Sequence, residues 1–283
     1  MRILITGSDG QLGHELRRVL ADETLMCAGW PAFDLLKPDV ERQVLAVQPD
    51  VIIHAAAYTQ VDKAEDEPER AMAVNADGTR RVAQAAAQAR ARLIYLSTDY
   101  VFDGEKNSPY DEADPPHPIN VYGRSKLEGE QQALAHCENT LVVRTSWLYG
   151  PHGHNFVRTI MSLAARQPEL RVVADQRGCP THAGDLATAI AKILQGDLRG
   201  IVHAAGSGHC SWHDFARAIV SLMGVSVAVR PISTADAKRA AARPLYTVLA
   251  NRVLAGTGIA LPHWEEALGR FMHTIRATTP AEV

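Results

Sequence analysis

The chain has 283 residues and a formal net charge of −3. That length suits one large α/β domain, or a large domain with a smaller lobe, and the near-neutral balance leaves no electrostatic footprint for nucleic acid or an anionic membrane. Its longest apolar runs are strand-length and too short to span a bilayer. The first residues enter a strand at once, so no leader peptide is expected. Cys27, Cys137, Cys179 and Cys210 are scattered without C-x-x-C spacing and read as reduced thiols of a cytoplasmic protein rather than disulfides or a zinc site. The twelve histidines include no H-E-x-x-H or similar ligand set and read as loop or core residues.

Met1 to Thr6 is predicted as a buried strand, followed by the glycine-rich turn Gly7-Ser-Asp-Gly-Gln-Leu-Gly13. Leu12 to Leu20 is a helix with Leu12, Leu16, Val19 and Leu20 on one face. A short strand at Leu25 to Ala28, a helix at Val40 to Val47 and a strand at Asp50 to His54 come next. The small-residue segment Ala55-Ala-Ala57 leads to a long alanine-rich helix, Glu69 to Ala89. A strand at Arg92 to Ser97, a Pro-rich loop over 103–118, a helix at Val121 to Ala135 and a strand at Thr140 to Thr145 complete the first half. Strands alternating with helices from the first residue predict an α/β fold, a Rossmann-type doubly wound parallel sheet.

The rhythm changes after Gly150. Helices at Phe156 to Ala165, Asp185 to Leu194, Trp212 to Met223 and Trp264 to Ile275 are separated by short strands at Arg171 to Val173 and Gly200 to Ala204. The expected division is a dinucleotide-binding domain over 1–150 and a smaller mixed α/β substrate lobe over 151–283, with some of its segments returning to the first sheet.

Gly7-x-x-Gly10-x-x-Gly13 lies between the first strand and the first helix. Glycines there allow a tight turn, close approach of a pyrophosphate and close helix–strand packing, and the helix N-terminus adds N–H donors. In that context dinucleotide binding outweighs a plain structural turn. The second strand ends at Ala28-Gly29-Trp30, with no acid for a ribose 2′-OH and no adjacent arginine for a 2′-phosphate, so NADPH and NADH both stay open. Small side chains at 55–57 suit either a cofactor lying over the sheet edge or tight helix packing.

Tyr122 and Lys126 stand at i and i+4 on one helix face. A lysine ammonium near a phenol favours proton exchange, the equipment for reducing a carbonyl or oxidising an alcohol. Such a pair also arises by chance on helix surfaces. Thr98 follows the strand before it, twenty-four positions upstream, where a sheet of this kind faces its ligand crevice, and its hydroxyl completes a Thr/Tyr/Lys set. Trp147 at the next strand end suits a sugar-facing aromatic as well as a core anchor.

The glycine spacing resembles that of the extended short-chain dehydrogenase/reductase family. The strings Leu96-Ser-Thr-Asp-Tyr-Val-Phe-Asp-Gly104, Asn120-Val-Tyr-Gly-Arg-Ser-Lys-Leu-Glu-Gly-Glu130 and Arg144-Thr-Ser-Trp-Leu-Tyr-Gly150 resemble one subgroup of it, the dTDP-4-dehydrorhamnose reductases. So do Ala55 to Glu65, Asn155-Phe156, Asp175 to Thr181, Ser211-Trp-His-Asp214 and Arg243-Pro244. The likeness runs from residue 1 to about Trp264. It implies a hydride delivered from NADPH or NADH to C4 of a dTDP-linked 4-keto-6-deoxy sugar. Tyr122 would then be the proton donor, Lys126 would hold the nicotinamide ribose and lower the phenol pKa, and Thr98 would assist at the carbonyl. It also implies substrate contacts from Thr98, Asp99 and Trp147, and cofactor contacts from Gly7, Gly10, Gln11, Leu12, Gly13, Asp34, Leu35, Ala57, Tyr58, Thr59 and Leu96, together with Tyr122 and Lys126. Asp34 reads equally as part of the next helix's N-cap.

Some members of the family bridge a dimer with a divalent metal held by glutamates. Here Glu15 is present, but the second-lobe position is Gly184 and no acid lies near Met272 to Ile275, which argues against Mg2+ and leaves monomer or homodimer open. Tyr246-Thr247 also stands where the family carries a small polar pair ending in Ser. Two other readings stay open: another nucleotide-sugar reductase or epimerase, and a non-catalytic subunit related to the methionine adenosyltransferase regulatory subunit.

Overall fold

Six strands of the computed structural model, which describes residues 1–278, hydrogen-bond into one sheet. Their order is Gly200–His203, Thr140–Thr145, Arg92–Thr98, Val51–His54, Arg2–Thr6, Thr24–Ala28, and every pairing is parallel. Side chains alternate across such a sheet, and both faces are buried. Ile3, Ile5, Ile53, Ile94 and Val143 point to one face, where the helices Gln11–Val19 and Ala183–Ile193 contribute Leu16, Leu186 and Ile190. Leu4, Ile52, Leu93, Tyr95 and Val142 point to the other, covered by Val40, Val44, Val82, Ala86 and Ala133 from the helices Val40–Ala46, Thr79–Ala89 and Val121–His136.

The chain beyond residue 150 builds a second core from Val157, Ile160, Phe215, Ile219, Trp264, Leu268 and Phe271. These residues lie on the helices Phe156–Ala164, Trp212–Met223 and Trp264–Thr278, beside a parallel strand pair, Glu169–Val173 with Ala228–Ile232. The same stretch returns to the first sheet as its edge strand, Gly200–His203. It returns again over residues 241–250. Arg243 forks onto Asp62 at 2.7 and 2.9 Å, the Asn120 side chain donates to Ala242 O at 2.8 Å, and Ala250 N donates to Tyr110 O at 2.7 Å.

One predicted helix is three pieces. The run expected from Glu69 to Ala89 is an α-helix over Pro68–Met72, a π-helical turn over Ala73–Gly78 and an α-helix over Thr79–Ala89. The wide turn holds Asn75 buried, with its side chain committed to partners outside the helix, a use of π-turns common at functional sites. Among the described residues no helix is long and apolar enough to cross a membrane.

Candidate active site

The first and third strands lie side by side, and the chain leaves them toward opposite sides of the sheet. Their C-terminal ends therefore open a crevice at the switch point, where ligands of such folds bind. The crevice has a volume of about 910 Å3. Every residue named above for catalysis, cofactor or substrate lines it: Thr98, Asp99, Tyr122, Lys126 and Trp147 toward one end, and Gly7, Gly10, Gln11, Leu12, Gly13, Asp34, Leu35, Ala57, Tyr58, Thr59 and Leu96 along the rest. Asp9, Trp30, Phe33, Lys63, Arg70, Ser146 and His154 also line it and were not foreseen. Asp34 faces the crevice, but it is not part of the next helix's N-cap: its carboxylate accepts from Leu36 N at 3.0 Å in a turn, and the helix Val40–Ala46 starts after Asp39.

The glycines answer to contacts as well as to dihedrals. Gly7 has φ +67°, and a Cβ on it would lie 2.7 Å from Ala56 N, so the turn presses against the 55–57 backbone and both segments must be small. A Cβ on Gly13 would lie 2.3 Å from Gly7 O. The helix that starts at Gln11 has no side chain capping its first turn, so its N–H groups are available to an anion. These features fit a pyrophosphate cradle.

The helix Val121–His136 sets the chemical end. Asn120 caps it by accepting from Gly123 N at 2.7 Å, and Glu65 accepts from Val121 N at 2.8 Å. Four residues apart, Tyr122 and Lys126 both reach the crevice. Lys126 is buried, donates from Nζ to Leu96 O at 2.7 Å and lies 4.1 Å from the centre of the Tyr95 ring. Burial pulls its pKa down to about 7, while the Glu130 carboxylate opposes the fall. Glu130 is itself buried, held bidentately by Arg144 at 2.7 and 2.9 Å and by the Ser97 hydroxyl. The Tyr122 phenol is pushed up to about 12, first by burial and further by the Asp99 charge, with Thr98 pulling the other way. At neutral pH it is a protonated donor.

A hydrogen-bonded chain that the sequence did not suggest runs beneath these groups. Thr79 gives its hydroxyl proton to Asn75 O at 2.7 Å, so its oxygen accepts from His54 Nε2 at 3.1 Å, and His54 Nδ1 in turn accepts from Thr6 at 2.6 Å. Burial and the Lys126 charge hold His54 neutral, with a pKa of about 3. Asn75 continues the chain. Its carbonyl accepts from Tyr58 N at 2.8 Å, and its amide donates to Tyr58 O at 3.0 Å and Ser125 Oγ at 2.9 Å. Ser125 donates to Tyr122 O at 2.8 Å. The chain thus joins the first strand, the loop after the third strand and the turn that carries Tyr122.

The same end of the crevice is braced from the second lobe. Asp99 accepts from Thr98 at 3.0 Å and from Thr247 at 2.6 Å. Burial raises it to about 6 against those two bonds. Thr247 reaches Asp99 because 241–250 folds back, a contact that the sequence does not show. Trp147 has a left-handed backbone, φ +45°, uncommon for a bulky residue. Its indole is backed by Trp212.

Of the two positions considered for a metal bridge, only Glu15 carries a carboxylate. Glu15 is paired with Arg18 at 2.8 Å, and at Gly184 a Cβ would already lie 3.1 Å from the Glu15 carboxylate. Among the described residues no group of three or more His, Cys, Asp or Glu side chains is placed to hold a metal ion.

Comparison with known proteins agrees with the geometry. The family model described as "RmlD substrate binding domain" matches residues 1–277. A dTDP-4-dehydrorhamnose reductase of Sinorhizobium fredii is 44% identical, over 96% of this chain and 97% of its own. A probable dTDP-4,6-dihydroxy-2-methyloxan-3-one 4-ketoreductase of Streptomyces antibioticus is 42% identical, over 95% and 93%. The crystal structure of a Bacillus anthracis dTDP-4-dehydrorhamnose reductase in complex with NADP superposes with a TM-score of 0.94 at 42% identity, covering 96% of this chain and 99% of that one. Matched along almost its whole length by the family model and by these relatives, the chain belongs to the RmlD substrate-binding-domain family, that of the dTDP-4-dehydrorhamnose reductases.

Proposed function

We propose that the chain reduces the C4 keto group of dTDP-4-dehydro-L-rhamnose to the alcohol of dTDP-L-rhamnose, with residues 1–150 holding NAD(P)H and residues 151–283 supplying most of the sugar-nucleotide site. The observation that carries the reading is the convergence of Thr98, Tyr122 and Lys126 on the crevice that the glycine turn opens. NAD(P)H, bound along Gly7 to Gly13 and Ala57 to Thr59, supplies the hydride. Tyr122 donates the proton to the carbonyl oxygen, so ketone, hydride and proton sum to the alcohol. Its raised pKa keeps it protonated at neutral pH. Thr98 offers a second hydroxyl to that oxygen. Lys126, fixed by Leu96 O, has further ammonium protons to offer the nicotinamide ribose and favours the phenolate left once Tyr122 has given up its proton. Asp99 borders the sugar, held from behind by the buried Thr247 of the other lobe.

The test is cofactor oxidation followed at 340 nm with enzymatically generated dTDP-4-dehydro-L-rhamnose, beside the UDP-linked analogue and a second dTDP-linked 4-keto sugar. Turnover of the rhamnose precursor above the others is expected. Preference for the second dTDP sugar would favour the chemistry named for the Streptomyces relative. Cofactor binding without turnover of any ketone would favour a non-catalytic role.

A further inference from the structure

In dinucleotide-binding sheets an acid at the end of the second strand commonly receives the adenosine ribose. This chain has Gly29 there, yet the space is taken. A Cβ built on Gly29 would lie 1.8 Å from one carboxylate oxygen of Asp9 and 2.9 Å from the other. Asp9 belongs to the glycine turn, and that turn is fastened to the second strand: Gly7 N and Ser8 N both donate to Ala28 O, at 2.8 and 3.5 Å. The carboxylate is exposed on the crevice wall with Gly10 and Trp30, and Ser8 engages one of its oxygens at 3.3 Å. A carboxylate from one loop stands where the other loop has lost its side chain.

The geometry points to Asp9 as the residue that selects the cofactor, accepting a hydroxyl of the adenosine ribose of NADH and repelling the 2′-phosphate of NADPH. The crevice offers little to offset that repulsion. Among the described residues its cations are buried Lys126 at the chemical end, and Lys63 and Arg70, both paired with Glu67 at 3.0 and 3.6 Å. The inference rests on the cofactor reading of the crevice. It sets this chain apart from the Bacillus anthracis relative, which was solved with NADP.

The test is direct titration of the full-length protein with NADH and with NADPH, followed by reduced-nicotinamide fluorescence without any sugar. The variants are Asp9→Asn and Asp9→Ser, both at an exposed position that leaves the core untouched. The wild type is expected to bind NADH about tenfold more tightly than NADPH, the scale of one charge repulsion in a partly solvated site. Both variants should bring the two affinities within about twofold of each other, and added salt should narrow the wild-type gap. Wild-type binding of NADPH as tight as NADH, or an unchanged ratio in both variants, overturns the assignment of Asp9. Failure to bind either nucleotide overturns the cofactor reading itself. Selective NADH binding with no turnover of any dTDP sugar leaves Asp9 standing and refutes the proposed reaction.

Discussion

The indole of Trp147 lies face to face on that of Trp212, with ring centroids 3.5 Å apart and planes 5° from parallel. On its rim a Cβ at Gly178 would come within 2.4 Å. Trp212 is held in turn by the capping box of its helix, in which Ser211 and Asp214 exchange bonds of 3.0 and 3.2 Å. Residues 177–178 pair with 210–211, so slot and stack are one unit. Trp212 therefore acts on the crevice through Trp147. Truncating it to Ala should raise the sugar KM about three- to tenfold, the worth of one aromatic pair, and leave cofactor affinity unchanged. Phe at 212 should recover most of the loss. In a Trp147→Ala background the same truncation should add nothing, and steady-state kinetics of the double-mutant cycle would expose an independent role as additivity.

Tyr122→Phe removes only a phenolic oxygen. The capped helix and the bond from Lys126 to Leu96 do not depend on it. Turnover should fall about 100- to 10,000-fold, the usual worth of a positioned proton donor, with cofactor affinity and melting temperature near wild type. Near-normal turnover would remove Tyr122 from the mechanism.

Asp99 gives a pH dependence with a definite sign. Its folded pKa of about 6 lies above the ordinary 3.8, so the native state binds the extra proton between those values. The stability that this proton contributes is fully present below about pH 4 and is lost as pH rises through about 6, an effect on the order of 3 kcal/mol. Asp99→Asn carries no such charge. Melting curves of both proteins from pH 4 to 8 should show the wild type losing ground to Asn with rising pH, and parallel curves would contradict the burial argument. Thr247→Val removes a donor to the carboxylate and should steepen the wild-type loss.

Much of this was legible in sequence because period and punctuation suffice for it. Ile3-Leu4-Ile5 and Val51-Ile-Ile53 could only be strands buried on both faces, and the glycines at 7, 10 and 13 announced the turn between strand and helix. What stayed hidden depends on the chain meeting itself. Asn75 sat inside an alanine-rich run that reads as one helix; the π-turn ends on Gly78, but a single glycine in a helical pattern marks a close packing contact, here with Leu35, as readily as a widened turn. The parts played by Thr247 with Asp99, and by Asp9 with Gly29, follow from segments 148 and 20 positions apart. His54 read as the end of a strand, and only the order of its hydroxyl partners makes it a link. The strand Ala228–Ile232 carries an internal proline, which demotes such a run in any reading by pattern.

Asn75 is where this hidden layer can be tested most sharply. Its side chain satisfies the Tyr58 N–H and C=O on the cofactor wall and the Ser125 hydroxyl that holds Tyr122 O. Alanine would strand these partners. Leaving buried polar groups unpaired costs about 1–3 kcal/mol each, less wherever water enters from the crevice, so a loss of about 2–4 kcal/mol in denaturant unfolding is expected. The functional signature should be double. Cofactor affinity falls because Tyr58 is released, and turnover at saturating cofactor falls because the Tyr122 turn is released. Asn75→Asp keeps the acceptor for Tyr58 N while losing both amide donors, so it should spare cofactor affinity more than turnover. An alanine variant destabilised to the expected extent yet normal in both affinity and turnover would show that the chain supports the fold alone.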